Sequence, residues 1–144
     1  MDVKEVVVGV VKKDGKYLML KHNKCKGLYL FPSGKVEETD LSEHEALKRE
    51  MFEEVGIKVT QCKYCYSSPA WYDRTDGIMH TKEHIYIIEE YVGTPFNKEP
   101  NKHEEMVWVE PKEVFRNPQN FTYITYLLMR NLENRECDED ESME

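Results

Sequence analysis

One strong helical segment, set between segments that favour strands, constrains the fold of this chain more than any other feature. Ser42 is a helix N-cap residue, and Glu45, three positions later, completes the pattern of a capping box. Gly56 is a glycine of the kind that ends helices. Between these signals three apolar residues recur at a spacing of four: Leu47, Met51 and Val55. This stripe predicts a helix that packs one face against a core.

The segments on either side of this helix favour strands. A turn signal at Asp14-Gly15 predicts that the two apolar runs beside it pair as a hairpin. The hairpin runs are residues 5–13 and 16–22. Further strand-like runs cover residues 57–68, 84–93 and 104–110. Two closing helices are expected at residues 111–115 and 119–132. The sequence therefore predicts an α+β fold in which a mixed sheet lies between helices.

Two long segments between these elements read as functional loops. Residues 23–40 are rich in Gly, Pro, Ser and Lys, and residues 69–82 separate two predicted strands. Loops of this length carry function more often than simple connections do. We expect one domain over residues 1–134. Residues 135–144 are acidic with almost no apolar side chains, which predicts a disordered tail.

Charge and composition exclude some classes of function. The net charge is −8, which argues against a broad nucleic-acid-binding surface, because phosphate backbones attract clustered positive charge. No run approaches the 18 apolar residues of a membrane span, so no membrane partner is expected. The four cysteines (Cys25, Cys62, Cys65, Cys137) are too few and too irregularly spaced for a disulfide scaffold, which favours a cytoplasmic protein.

Three carboxylates near the end of the predicted helix are the strongest functional signal. Glu50, Glu53 and Glu54 stand at positions i, i+3 and i+4, so they share one helix face. Like charges at this spacing destabilise a helix, and the helix dipole disfavours anions at this end. A hard cation such as Mg2+ would offset both effects by binding the carboxylate oxygens. The alternative is an ordinary solvated helix face.

Residues 34–57 resemble the Nudix box, whose pattern is Gly-x5-Glu-x7-Arg-Glu-U-x-Glu-Glu-x-Gly-U, with U an aliphatic residue. The second half of the pattern is matched throughout, by Arg49, Glu50, Met51, Glu53, Glu54, Gly56 and Ile57. The first half is one residue longer than the pattern. Counting from Gly34 therefore puts the first acidic position at Asp40, whereas counting back from Arg49 puts it at Leu41.

The resemblance to the Nudix hydrolases, and to their MutT-like members, implies a fold and a reaction. It implies an α/β/α sandwich and a Mg2+ ion, with Mn2+ as an alternative, held by Glu50, Glu53 and Glu54. The expected metal site also includes Gly34. The resemblance further implies that Arg49 holds one of these glutamates in place. The implied reaction is hydrolysis of a phosphoanhydride bond in a nucleoside triphosphate or a nucleoside diphosphate linked to another group.

The general base and the substrate contacts are less constrained. Glu53 is one candidate base. Glu105 is another, because relatives often carry an acidic residue three positions before a tryptophan, here Trp108. The alternative is that Glu105 is an ordinary polar residue at the edge of a loop. The expected substrate-binding residues are Lys35, Phe31, Trp71 and Tyr72, of which the three aromatic ones could instead serve core or loop packing.

Two other classes of function remain open at this point. A nucleotide-binding protein of the same fold could have lost most of its catalysis. A zinc-stabilised nucleic-acid-binding module could use Cys62, Cys65, His80 and His84, whose spacing satisfies a loose zinc-finger rule. Against zinc, both histidines introduce a predicted strand, and two cysteines three apart on a strand point to opposite faces.

Overall fold

The computed structural model describes residues 2–134 and contains two four-stranded sheets. The strands are β1 Val3–Val10, β2 Lys12–Lys13, β3 Lys16–His22, β4 Leu28–Leu30, β5 Ser33–Lys35, β6 Lys58–Arg74, β7 Gly77–Val92 and β8 His103–Val109. The helices are α1 Glu43–Val55, α2 Pro111–Arg116 and α3 Tyr123–Glu133, with short 3-10 turns at Asn23–Cys25 and Pro118–Asn120. The predicted tail, residues 135–144, lies outside the described residues, and the domain boundary at residue 134 stays a prediction.

The first sheet is mixed, as the sequence predicts. Its strand order is β5-β1-β7-β6, in which β1 runs parallel to β7 and the other pairs are antiparallel. The second sheet is antiparallel, with β3 bonded to β2, β4 and β8. One core cluster packs α1 against the sheets, and the other contains residues of α2 and α3. The helices therefore lie on both sides, which confirms the predicted α+β sandwich.

The predicted hairpin between residues 5–13 and 16–22 is present but shorter than expected. The turn has positive φ at Asp14 and Gly15, β2 pairs with β3 through it, and the Leu18 N–H donates to the Val11 carbonyl at 3.0 Å. The chain changes sheets after β1, and β1 bonds in parallel to β7 over eight residues. A parallel partner more than seventy residues away leaves no local mark in the sequence.

Residues 69–82 are not a loop but the end of a long hairpin. Strands β6 and β7 pair continuously from Lys58 opposite Val92 to Arg74 opposite Gly77. Thr75 and Asp76 form the turn that closes this hairpin, between the paired residues Arg74 and Gly77, and the glycine has a φ of 118°. The Asp76-Gly77 pair in the sequence therefore lies at the end of this turn. In residues 2–134 no helix is both long and apolar enough to cross a membrane.

Candidate active site

Helix α1 begins and ends where the sequence predicts. The Ser42 hydroxyl accepts the backbone N–H of Glu45 at 3.1 Å, and Gly56 takes a left-handed conformation while its N–H donates to the Phe52 carbonyl at 3.1 Å. The predicted apolar stripe is buried in the core. Because this face is fixed, the orientation of the glutamates on the neighbouring face is fixed as well.

The three glutamates differ in exposure. Glu50 is 7% exposed and Glu54 is 2% exposed, whereas the side chain of Glu53 is 48% exposed. One guanidinium nitrogen of Arg49 joins two of them, donating to Glu50 Oε2 at 2.9 Å and to Glu53 Oε1 at 3.3 Å. The structure therefore places two buried carboxylates and one accessible carboxylate at the end of α1, with Arg49 orienting two of the three.

Glu54 is held by a different set of contacts. Its Oε1 accepts the backbone N–H of Ser33 at 3.1 Å, and its Oε2 lies 3.6 Å from the Lys102 ammonium. Burial raises the pKa of Glu54 to about 8, while Lys102 opposes that rise. Burial likewise raises the pKa of Glu50, against the influence of Arg49. Both shifts mark carboxylates that lack sufficient positive charge around them.

Gly34 lies so close to Glu50 that no other residue fits there. A Cβ built on Gly34 would lie 1.9 Å from Glu50 Cδ. Strand β5 carries Gly34 opposite Val7 of β1, so the backbone cannot move away without breaking that pairing. The glycine therefore gives the Glu50 carboxylate its space against β5.

A cleft of about 390 Å3 opens beside Glu50. It is lined by Gly34, Glu50, Lys35 and Tyr72 from the predicted site, together with Val6, His22, Lys24, Cys25, Leu30, Ser33, Glu37, Arg74, Met79 and Lys102. Four of these side chains are lysine or arginine, although the whole chain is acidic. A cleft with positive charge on its walls and carboxylates at one end suits an anionic ligand that arrives with a cation.

Two of the predicted substrate contacts lie elsewhere. Phe31 is buried in the core, where its ring meets Tyr17 edge-on at 6.0 Å between centroids. Trp71 neighbours Tyr72 on β6, and successive side chains of a strand point to opposite faces. Tyr72 is buried and lines the cleft, whereas Trp71 is half exposed on the other face. Only Lys35 and Tyr72 of the four expected contacts therefore line the cleft.

Glu105 does not join the carboxylate group in the structure. It lies on β8 opposite Lys21, and its carboxylate accepts a hydrogen bond from the Tyr29 hydroxyl. That contact raises the pKa of Tyr29 to about 12. Glu105 is not among the residues that line the cleft, so a role as general base would require it to leave Tyr29 and to move. Glu53 is not among the lining residues either, and its half-exposed side chain would have to leave Arg49, which it contacts at 3.3 Å.

The chemistry of the carboxylate group fits a divalent ion, although the ligands are not prearranged. Carboxylate oxygens are the ligands that Mg2+ prefers, and the two buried carboxylates are each paired with a cationic side chain, Glu50 with Arg49 and Glu54 with Lys102. In residues 2–134 no three Asp, Glu, His or Cys side chains form a ready metal-binding set. Arg49 stands between Glu50 and Glu53 and accounts for this. A side-chain rotation at the exposed Glu53 would have to complete the set.

Sequence reasoning missed several residues of the cleft. Lys24 and His22 come from the segment before β4, Arg74 from the end of β6, and Lys102 from the segment before β8. Arg74 was inside a segment read as a loop, and Lys102 carries no motif. Burial lowers the pKa of His22 to about 4, so this imidazole is neutral near pH 7.

The geometry does not support a zinc site at the cysteine and histidine pairs. Cys62 lies opposite Ile88 on the β6–β7 hairpin, and His80 comes eight residues before Ile88 on β7. At about 3.3 Å per residue this separates them by about 26 Å. Both ring nitrogens of His84 are engaged, with Ser67 Oγ at 2.7 Å and Glu5 Oε1 at 2.6 Å.

Comparisons with known proteins point to one family. The sequence model of the NUDIX domain family matches residues 3–132 of this chain. The CTP pyrophosphohydrolase of Escherichia coli (strain K12) is 32% identical over 121 residues, which cover 82% of this chain and 84% of that protein. The 8-oxo-dGTP diphosphatase of Buchnera aphidicola subsp. Schizaphis graminum is 26% identical over 133 residues, covering 90% and 96% of the two chains.

A solved structure shows the same fold. The crystal structure of a MutT NUDIX hydrolase from Burkholderia pseudomallei superposes with a TM-score of 0.77 at 23% identity, over 90% of this chain and 98% of that one. At this identity the likeness concerns the fold alone. The overall fold is therefore shared.

Proposed function

The chain belongs to the Nudix family of hydrolases, and on that premise we propose that it is a Mg2+-dependent pyrophosphohydrolase of nucleoside triphosphates. The observation that carries the proposal is the buried pair Glu50 and Glu54 at the end of α1, with Glu50 lining a cleft whose walls carry four lysine or arginine side chains. Buried carboxylate oxygens fit a divalent ion, and the basic walls fit a phosphate chain. Mn2+ is the alternative ion.

The residues divide into a metal-holding group and an orienting group. Glu50, Glu53 and Glu54 would hold the ion, and Gly34 leaves the space in which Glu50 lies. When bound, the ion supplies neutralisation of phosphate charge and a site for the attacking water. Arg49 holds the carboxylate of Glu50 by a hydrogen bond, so this ligand need not be ordered anew in each turnover, whereas Glu53 would turn away from Arg49 to reach the ion.

Glu53 is the candidate general base. Its carboxylate is the most exposed of the three, so a water molecule can reach it, and its contact with Arg49 at 3.3 Å is weaker than the Glu50 contact at 2.9 Å. A base must lie within hydrogen-bonding reach of the proton that it removes. Glu105 remains the second candidate, at the cost of its contact with Tyr29.

The substrate class follows from the cleft and the relatives together. Lys24, Lys35, Arg74 and Lys102 give the cleft four positive side chains, enough to accompany a triphosphate. The two relatives named above are a CTP pyrophosphohydrolase and an 8-oxo-dGTP diphosphatase, both of which are named for nucleoside triphosphates. We therefore place triphosphates ahead of nucleoside diphosphates linked to another group. The products would be a nucleoside monophosphate and pyrophosphate.

A substrate panel tests this proposal. Purified protein is incubated with Mg2+ and CTP, 8-oxo-dGTP, ATP, ADP-ribose, a nucleotide sugar or a dinucleoside polyphosphate, and the products are separated by chromatography. The expected result is a monophosphate and pyrophosphate from at least one triphosphate, with slower cleavage of the linked diphosphates. Release of orthophosphate in place of pyrophosphate, or no cleavage of any compound, would contradict it.

A further inference from the structure

Glu54 has one close cationic partner among the described residues. Lys102 Nζ lies 3.6 Å from Glu54 Oε2. The imidazole of His103 is farther from the same oxygen, at 3.9 Å. Since a buried carboxylate without a counter-charge is costly, Lys102 stabilises this part of the metal-free protein.

The side chain of Lys102 is loosely held, although its backbone is fixed. Its distances of 3.6 Å to Glu54 and 3.8 Å to Glu99 both exceed the roughly 2.7–2.9 Å of a charge-assisted hydrogen bond. By contrast, its N–H donates to the Glu99 carbonyl at 2.9 Å, and its carbonyl accepts the Asn23 N–H at 3.0 Å. The side chain is 46% exposed and lines the cleft. It can therefore turn while its backbone stays in place.

Three other cations near the cleft are engaged elsewhere. Arg74 Nε donates to Asp76 at 3.0 Å, and Lys24 lies 3.6 Å from the same aspartate. Arg49 donates to Asp40, which fixes the guanidinium. Lys102 thus combines contact with a buried carboxylate of the site and freedom to move toward the cleft.

We propose that Lys102 competes with the metal ion for Glu54 and, once displaced, binds a phosphate oxygen of the substrate. The inference rests on the proposed function, to which both the ion and the phosphate chain belong. A divalent ion at Glu54 would stand only a few ångströms from the ammonium, and like charges at that distance repel. The four-carbon stem lets the ammonium move into the cleft, where a phosphate oxygen replaces the carboxylate as its partner.

Binding of Mn2+ to the nucleotide-free protein tests the competition directly. Titration calorimetry compares wild type, Lys102→Met and, as a matched control, Lys24→Met, which removes another cleft lysine that pairs with Asp76. If Lys102 competes with the ion, Lys102→Met should bind Mn2+ at least about fivefold more tightly than wild type. This factor is the lower end of the usual coupling between two sites. Lys24→Met should bind Mn2+ as wild type does. Equal or weaker Mn2+ binding by Lys102→Met would overturn the inference.

A further readout tests the other half of the inference, the contact between Lys102 and a phosphate oxygen. At saturating Mg2+, KM for the preferred triphosphate should rise about tenfold in Lys102→Met, as expected for loss of one charged contact. An unchanged KM would overturn the phosphate contact. Lys102→Gln serves as a second variant if Lys102→Met does not fold.

The outcomes separate this inference from the proposed function. A wild-type protein that cleaves triphosphates while Lys102→Met keeps its Mn2+ affinity refutes the role of Lys102 alone. A wild-type protein that cleaves nothing in the substrate panel refutes the proposed function, whatever the Mn2+ titrations give.

Discussion

Asp40 and Arg49 form a two-pronged ion pair. Arg49 Nε donates to Asp40 Oδ1 at 2.9 Å, and a terminal guanidinium nitrogen donates to Oδ2 at 2.8 Å. This contact holds the pKa of Asp40 at about 2. Counting along the sequence left Asp40 and Leu41 as rivals for the first acidic position. Leu41 is 93% exposed, so the extra residue is accommodated between Asp40 and Ser42, and Asp40 faces Arg49.

From this ion pair we predict that Asp40 supports catalysis by holding Arg49 in place. Asp40→Asn keeps the size of the side chain but removes its charge, and kcat/KM should fall about 10- to 100-fold, as is usual when a residue that orients metal ligands is changed. Arg49→Lys should cost a similar factor, because lysine cannot make the two-pronged contact. The double variant should be little worse than either single one. Strictly multiplicative losses would show that the two residues act separately.

Gly34→Ala should disable the site with limited damage to the fold. The added methyl group would lie 1.9 Å from Glu50 Cδ, so the carboxylate must move, and a displacement of about 1 Å can cost about a hundredfold in rate. Gly9→Ala is the matched control. Its Cβ would meet the flexible Met51 side chain on the same helix, at 2.5 Å from the sulfur, away from the carboxylates. It should lower stability but keep its response to Mg2+. Equal activity losses in both variants would contradict this reading.

Glu53→Gln should lower kcat by about 10^2- to 10^4-fold, the usual contribution of a general base. The side chain is half exposed, so the unfolding temperature should stay within about a degree of the wild-type value. Glu45→Gln, on the same helix and paired with Lys48 at 3.8 Å, is the control and should keep full activity. Near-wild-type turnover by purified Glu53→Gln would remove Glu53 from the mechanism and leave Glu105 as the candidate.

The buried carboxyl of Glu83 should make the free energy of unfolding depend on pH. Burial raises the pKa of this carboxyl from 4.5 to about 7, and the Tyr72 hydroxyl donates to it. The folded protein therefore keeps a proton that the unfolded chain releases above pH 4.5. The stabilisation from the neutral form is present below pH 4.5 and is lost as pH rises through 7. The shift corresponds to about 3 kcal/mol.

Urea unfolding at pH 5, 6 and 8 measures this effect. Glu83→Gln cannot ionise, yet its amide oxygen can still accept from Tyr72. Relative to wild type, Glu83→Gln should therefore gain stability steadily between pH 5 and pH 8, reaching most of the expected difference at pH 8. Parallel pH profiles for the two proteins would show that Glu83 does not hold its proton in the fold.

The sequence was sufficient wherever the signal is local. The caps at Ser42 and Gly56, the buried stripe of α1 and the spacing of the three glutamates all depend on neighbours within one or two turns. The Nudix box includes these residues and therefore gave the family and the sandwich fold. The roles assigned to individual residues within the box stay predictions, to be tested as above.

Long-range contacts could not be read in the same way. Lys102 comes to Glu54 because the segment before β8 is bonded to the end of α1, with the Lys98 N–H donating to the Glu54 carbonyl at 3.1 Å and the Phe96 N–H to the Val55 carbonyl at 3.1 Å. These backbone contacts satisfy carbonyls that every helix leaves unpaired, whatever the residues are. No residue pattern encodes them, so the approach of Lys102 to Glu54 was not predictable.

The central claim is that the carboxylates of Glu50, Glu53 and Glu54 act through a divalent ion beside a phosphate chain. The most direct test is triphosphate turnover by protein stripped with chelator and then titrated with Mg2+. We predict no turnover above the uncatalysed rate in chelator and full recovery on adding Mg2+. Turnover that survives complete removal of divalent ions would contradict the account.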